Sequence, residues 1–127
     1  MASAPEFAAG YLLEGIALSR LGRYTEAVRP LEEAVSRAPD DADARYRLAE
    51  AHYGRGAYEE ARAGAREAVA RRPDLAAAAV LVADASRQLG RLAEARAWYL
   101  RARADERYRD YCDARLRELG RTPAAGD

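Results

Sequence analysis

Leu21-Gly22-Arg23-Tyr24-Thr25-Glu26-Ala27, Arg55-Gly56-Ala57-Tyr58-Glu59-Glu60-Ala61 and Leu89-Gly90-Arg91-Leu92-Ala93-Glu94-Ala95 decide the fold of this chain. Gly recurs at 22, 56 and 90, Glu at 26, 60 and 94, and Ala at 27, 61 and 95, so the period is 34 residues without slippage. A fixed period of this length marks a repeat architecture. Each stretch joins two segments of helical periodicity. The Gly lets the backbone leave the first helix through a left-handed conformation, and Glu in the first turn of the next helix suits the positive end of its dipole. The small Ala lets the two helices approach closely.

Working outward, the first unit is 8–41, with helical spacing through Tyr11, Gly15 and Leu18, then Ala27, Leu31, Ala34 and Val35. Pro39 stops the second run, because Pro cannot continue the hydrogen-bond ladder. Asp40, Asp41 and Asp43 fall where the next helix starts, placing acids at its positive end. The second unit, 42–75, repeats the layout and ends at Pro73. The third, 76–109, has Arg107 where Pro39 and Pro73 stand. From Ala93 to Leu119 there is neither Gly nor Pro, so the chain either breaks near Asp105-Glu106 or runs on as one rod. The break is favoured. Tyr108, Tyr111, Cys112, Arg115, Leu116 and Leu119 then form one stripe with a polar back, as the closing helix of a stack requires. This capping helix is placed at 110–120, with 106 as an alternative start. Residues 1–7 and 121–127 are read as tails. All three units form one domain.

Composition narrows the function. The chain has 127 residues, half of them apolar, but Ala supplies most of that half and there is one Phe. The core must be thin and built from close helix contacts. The 21 basic and 21 acidic residues cancel, which argues against nucleic acid or an anionic membrane as a partner. No apolar run is long enough to span a bilayer, and the start lacks a signal-peptide pattern. A single Cys excludes an internal disulfide and leans toward a reducing compartment. The expected location is cytoplasmic.

The chain resembles tetratricopeptide repeat proteins, whose 34-residue unit carries a W-x2-L-G-x2-Y, A-x3-F, P pattern. The matching residues are Tyr11, Glu14, Gly15, Leu18, Ala27, Leu31 and Pro39 in the first unit. They are Arg45, Leu48, Ala49, His52, Ala61, Ala65 and Pro73 in the second, and Ala79, Val82, Ala83, Ser86, Ala95, Tyr99 and Arg107 in the third. The small-residue columns hold throughout. The large-residue columns do not, since Glu14 replaces Leu, and Arg45 and Ala79 replace an aromatic. The resemblance implies an all-α fold: a right-handed superhelical solenoid of antiparallel helix hairpins, seven helices in all, with a concave groove. It also implies a non-enzymatic protein-interaction module whose partner is a protein or peptide.

Catalytic and metal chemistry find little support in the residues. His52 is the sole His and lies in a column that packs inside the hairpin, so it reads as a structural, buried or half-buried residue. No second His, and no Cys or Ser at a motif spacing, accompanies it. Cys112 lies on the apolar stripe of the capping helix and reads as a small buried hydrophobe. Asp40, Asp41 and Asp43 lack the Gly and distal Glu of a calcium loop. The seven Arg between 101 and 121 interleave with five acids, leaving an excess of two positive charges, which suits a solvated, salt-bridged face. No metal or cofactor is expected.

In the family the first helix of each unit lines the groove and the second forms the outer wall. That rule places Ala9, Leu12, Leu13, Ile16 and Ser19 in the groove from the first unit. Asp43, Tyr46, Arg47, Glu50 and Tyr53 follow from the second, and Ala77, Val80, Leu81, Asp84 and Arg87 from the third. Helical spacing agrees, since Leu12 and Ile16, like Val80 and Asp84, are four apart. The expected partner-binding set is Leu12, Leu13, Ile16, Tyr46, Arg47, Glu50, Tyr53, Val80, Leu81, Asp84 and Arg87. Tyr and Arg at its centre are the side chains most enriched at binding hot spots. The expected ligand is a partly apolar peptide or amphipathic helix carrying both charge signs. Some family members clamp the C-terminal carboxylate of heat-shock chaperones with Lys, Asn and Arg. The matching positions here, Leu12, Ile16, Arg47, Ala77 and Leu81, offer one cation. The alternative function is an assembly element that self-associates or stacks through its ends, or a fragment of a longer array.

Overall fold

The computed structural model describes the backbone of residues 5–121 and the side chains of residues 7–121. Among these residues there are seven α-helices and no strand: α1 Pro5–Arg20, α2 Tyr24–Arg37, α3 Ala42–Gly54, α4 Tyr58–Arg71, α5 Ala76–Gln88, α6 Leu92–Ala102 and α7 Glu106–Arg121. Consecutive helices pack on each other through short turns, and α1 also meets α3, α3 meets α5 and α5 meets α7. The result is a stack of antiparallel hairpins whose first helices lie side by side.

The turns follow from the repeated stretches. Gly22, Gly56 and Gly90 have φ of 77°, 86° and 78°, and no other described residue has positive φ. An L side chain there would meet the carbonyl crowding that disfavours the left-handed region, which only Gly escapes. Asp41 caps α3, its Oδ1 accepting from the backbone N–H groups of Asp43 and Ala44 at 3.0 and 3.2 Å. Asp105 does the same for α7, accepting from the N–H of Arg107 at 2.9 Å. The Arg107 side chain returns to that carboxylate at 2.7 Å and holds its pKa down, to about 2. The chain therefore breaks at Arg103–Asp105 without Pro or Gly, because an acid is present to satisfy the new helix's first N–H groups.

Three boundaries shift. α1 begins at Pro5, so residues 5–7 belong to the helix and not to a tail. Pro at the start of a helix costs nothing there, since its missing N–H would have no intrahelical acceptor. The capping helix starts at Glu106, the alternative start, and so takes in the end of the third 34-residue unit. It closes at Arg121, one residue later than expected. Met1–Ala4 and 122–127, the rest of the expected tails, lie outside the described residues.

The core is thin. Ala27, Ala61 and Ala95 are fully buried at equivalent places in the three hairpins, as are Ala34, Ala65 and Ala68 along the outer helices. Leu31 and Tyr99 are the largest wholly enclosed side chains. Gly15 makes room for Leu31, because a Cβ there would lie 2.3 Å from its Cγ. Ion pairs between residues 32 apart lock the second and third hairpins together on the outside. Arg62 meets Glu94 at 2.7 Å and Arg91 meets Glu59 at 2.6 Å.

Candidate partner-binding groove

The first helices α1, α3 and α5 present the expected groove residues, but the structure divides them into two groups. Ile16, Arg47, Glu50 and Tyr53 come together with Ser19, Arg20 and Tyr24 around a hollow of about 340 Å³ between α1 and α3. A second hollow of about 200 Å³ lies along the same side of α1, lined by Ala8, Ala9, Leu12, Ala34, Ala38, Asp41 and Ala44. The two follow one another from Ala8 to Arg20, apolar at one end and polar at the other.

Within the larger hollow, Arg47 is held between acids. Its Nε lies 3.6 Å from Asp43 and its Nη1 3.4 Å from Glu50. The guanidinium also sits 5.3 Å from the centre of the Tyr46 ring. Two buried polar atoms in this wall, Ser19 Oγ and Arg47 Nε, have no hydrogen-bond partner among the described residues. Tyr53 stands across the hollow, its ring edge-on to Tyr58 at 5.1 Å and its hydroxyl accepting from Gln88 at 3.4 Å.

Tyr24 and Arg20 are lining residues that the column rule does not include. Tyr24 opens α2 and its ring lies over Gly54, where a Cβ would come within 2.4 Å. The sequence signal for it is its place beside Gly22 in the repeated stretch. Arg20 follows Ile16 by one turn on the same helix face.

The α5 members of the expected set behave differently. Val80 and Leu81 are 9% and 8% exposed and belong to the core, not to an open groove. Val80 packs in the cluster that contains Cys112 and Leu119 of α7, with Tyr108 and Leu116 against it. Leu81 packs with Ala49, Ala65 and Val82, flanked by Tyr46, Tyr53 and Trp98. Asp84 is a half-buried acceptor hub. The Tyr99 hydroxyl donates to its Oδ1, and the Tyr111 hydroxyl donates to the same oxygen at 2.8 Å. Arg87 donates from Nε to the Tyr99 oxygen at 3.2 Å. Burial first, and the Asp84 charge second, push the Tyr111 pKa up to about 12. Asp84 and Arg87 thus hold the capping helix and the last hairpin together.

Tyr46 is likewise a packing residue, set against two core clusters with its hydroxyl donating to Glu50 at 3.3 Å. Leu13 is 67% exposed and turns away from both hollows, to the edge of α1. His52 is half-buried, and its Nδ1 accepts from Arg55 Nε at 3.2 Å. Cys112 is buried, and burial raises its thiol pKa. Among the described residues no group of three or more His, Cys, Asp or Glu is placed to hold a metal ion. No described helix is long and apolar enough to cross a membrane.

The Tetratricopeptide repeat family model matches residues 12–76 and 60–109. No curated protein matches the chain. Solved structures show the same fold at low identity. The TPR2AB-domain:pHSP90 complex of yeast Sti1 is 23% identical with a TM-score of 0.88, over 93% of this chain and 48% of that one. This chain therefore spans about half the length of that Sti1 chain. The second TPR domain of human RPAP3, in complex with the HSP70 peptide SGPTIEEVD, is 19% identical with a TM-score of 0.86, over 94% of this chain and 100% of that one. The type III secretion translocator chaperone SycD of Yersinia enterocolitica is 14% identical with a TM-score of 0.83, over 88% and 82%. With the period, the left-handed glycines and the stacked hairpins, the family match establishes that this chain belongs to the tetratricopeptide repeat family.

Proposed function

We propose that the chain is a non-enzymatic protein-interaction module that takes a partly apolar peptide or helix in the α1–α3 half of its concave face. The observation that carries this is the hollow of about 340 Å³ between α1 and α3 that brings Ile16, Arg47, Glu50 and Tyr53 together. The α5 half supports no such role, because Val80 and Leu81 are buried and Asp84 is committed to Tyr99 and Tyr111. A ligand in the α1–α3 half meets aliphatic surface from Leu12 and Ile16, an aromatic ring from Tyr53, and one cation and one anion already paired. That environment suits an uncharged or doubly signed segment better than a run of acids. The relatives in complex with HSP90 and HSP70 peptides support a peptide as the ligand class, while the residues here argue for a different peptide.

A benzophenone-bearing residue placed at Ile16 tests this in host extract. Irradiation is expected to yield a discrete adduct from position 16 and none from the same residue placed at Ala63, an exposed position on α4. An adduct from position 63 with none from position 16 overturns the assignment.

A further inference from the structure

Ser19 and Tyr24 stand one period before Tyr53 and Tyr58. In the second repeat the two rings meet edge-on, with centroids 5.1 Å apart and planes inclined by 64°. Tyr53 also packs against the cluster of Ala49, Ala65, Leu81 and Val82, so its ring fills the space where α3, α4 and α5 meet. One period further, Arg87 takes the place of Tyr53 and reaches the Tyr99 oxygen at 3.2 Å. In the first repeat that position holds the small side chain of Ser19. Among the described residues Tyr24 therefore belongs to no ring pair. The hollow of about 340 Å³ opens here, where the next repeat has the Tyr53 ring.

The walls of the hollow suit a ring. Tyr24 is half-buried and lies over Gly54, Tyr53 stands across from it, and Ile16 adds aliphatic surface. Arg47 is already shared by Asp43 and Glu50, so it asks for no ligand charge. Arg20 is an exposed member of the lining. Guanidinium groups cover rings elsewhere in this chain, Arg37 at 5.1 Å from the centre of Tyr11 and Arg101 at 4.9 Å from that of Trp98. A ring entering beside Arg20 gains the same attraction.

We infer that the peptide or helix taken by the α1–α3 groove anchors itself with one aromatic side chain, seated between Tyr24 and Tyr53 in the place of the ring that Ser19 lacks. This rests on the groove reading above and adds the chemistry of the anchor. Edge-on ring pairs attract beyond the area they bury, so the hollow selects an aromatic residue over Leu or Ile. Residues 1–4 and 122–127 contain no aromatic side chain to supply it. A second copy of this chain is the competing occupant, since its Phe7 is 55% exposed.

The probe is a library of random peptides displayed on phage through their C-termini, so that no free carboxylate is offered. It is panned on the intact chain, and the enriched consensus is synthesised with an amidated C-terminus. The consensus is expected to hold an aromatic residue at one fixed position and to shift the amides of Ile16, Ser19 and Tyr53. Replacing that residue by Leu is expected to weaken binding about tenfold. Ser19→Tyr rebuilds the ring of the second repeat, and is expected to raise the melting temperature and weaken binding by a similar factor. Tyr24→Leu, which copies Leu92 of the third repeat, removes one wall and is expected to weaken binding without that rise. A consensus that shifts those amides but carries only aliphatic residues, or that binds both variants as well as wild type, overturns the inference and leaves the groove reading in place. Shifts confined to other helices, or no enriched peptide, overturn both. The free chain supplies the last arm. Cross-peaks between the Tyr24 ring and residues 1–4 or 122–127 overturn the inference in favour of the chain's own ends, and a concentration-dependent dimer that Ser19→Tyr dissolves overturns it in favour of a second copy.

Discussion

The Tyr111 hydroxyl donates to Oδ1 of Asp84 across 2.8 Å, tying the capping helix to the concave side of α5. Asp84 also accepts from Tyr99, so one carboxylate joins three helices. Tyr111→Phe removes one donor and leaves Asp84 partnered, and it is expected to cost about 0.5–1.5 kcal/mol. Asp84→Ala leaves the proton of the buried Tyr99 hydroxyl without its acceptor, though the oxygen still accepts from Arg87, and is expected to cost more, about 1–3 kcal/mol. Urea unfolding of both variants checks the order. Equal and negligible losses would remove Asp84 as the link between the cap and the last hairpin.

Two glycines of α1 are expected to respond in opposite directions. At Gly15 a Cβ meets Leu31 at 2.3 Å, so Gly15→Ala overpacks the hairpin by about 1–3 kcal/mol. At Gly10 a Cβ meets nothing within 4 Å, so Gly10→Ala gains helix propensity, about 0.5–1 kcal/mol. Ala61, fully buried in α4, follows the first case, and Ala61→Leu is expected to cost about 1–3 kcal/mol. Thermal unfolding distinguishes the signs.

The hairpins and their turns are legible in the sequence because each depends on local chemistry that repeats. Gly22, Gly56 and Gly90 mark left-handed backbone, and Asp41 marks a helix start, whatever lies elsewhere. The α1–α3 hollow is half legible: Ile16, Arg47, Glu50 and Tyr53 follow from helix phase. Val80, Leu81 and Asp84 share that phase, yet Val80 packs with Cys112 and Leu119 of α7, Asp84 accepts from Tyr111, 27 positions beyond it, and Leu81 packs with Ala49, Ala65 and Trp98 of other helices. Helical phase says which way a side chain points. It does not say whether another helix arrives there. Arg62 shows the same limit on the outer wall, where its pair with Glu94 spans 32 positions.

His52 sets a pH dependence. Burial and the neighbouring Arg55 lower its pKa below the ordinary 6.5. The folded state therefore takes up its proton less readily than the unfolded chain. Stability is full above the unfolded pKa, falls as pH drops below about 6.5, and levels off below the folded pKa. The effect is small, because the ring is half-exposed. His52→Gln is expected to flatten the change in melting temperature between pH 7.5 and 5.5 relative to wild type. An unchanged pH profile would contradict the assignment.

Acidic chaperone tails are expected to bind poorly. Of the positions matching the carboxylate clamp, Arg47 alone is cationic, and Asp43 and Glu50 already hold it. Fluorescence anisotropy with the peptide SGPTIEEVD should show no micromolar binding. Micromolar affinity abolished by amidating its C-terminus would contradict this reading.

Calorimetry of the captured partner against three variants distinguishes the α1–α3 hollow from the outer wall as the place where the partner sits. Tyr53→Ala and Ile16→Ala are each expected to weaken binding by about 1–3 kcal/mol with the fold intact. Ala63→Arg adds a bulky charge to an exposed position of the outer helix α4 and is expected to leave the affinity unchanged. Arg62 is unsuited as that control because it joins two repeats. A partner indifferent to both Tyr53→Ala and Ile16→Ala, yet weakened by Ala63→Arg, would contradict the account.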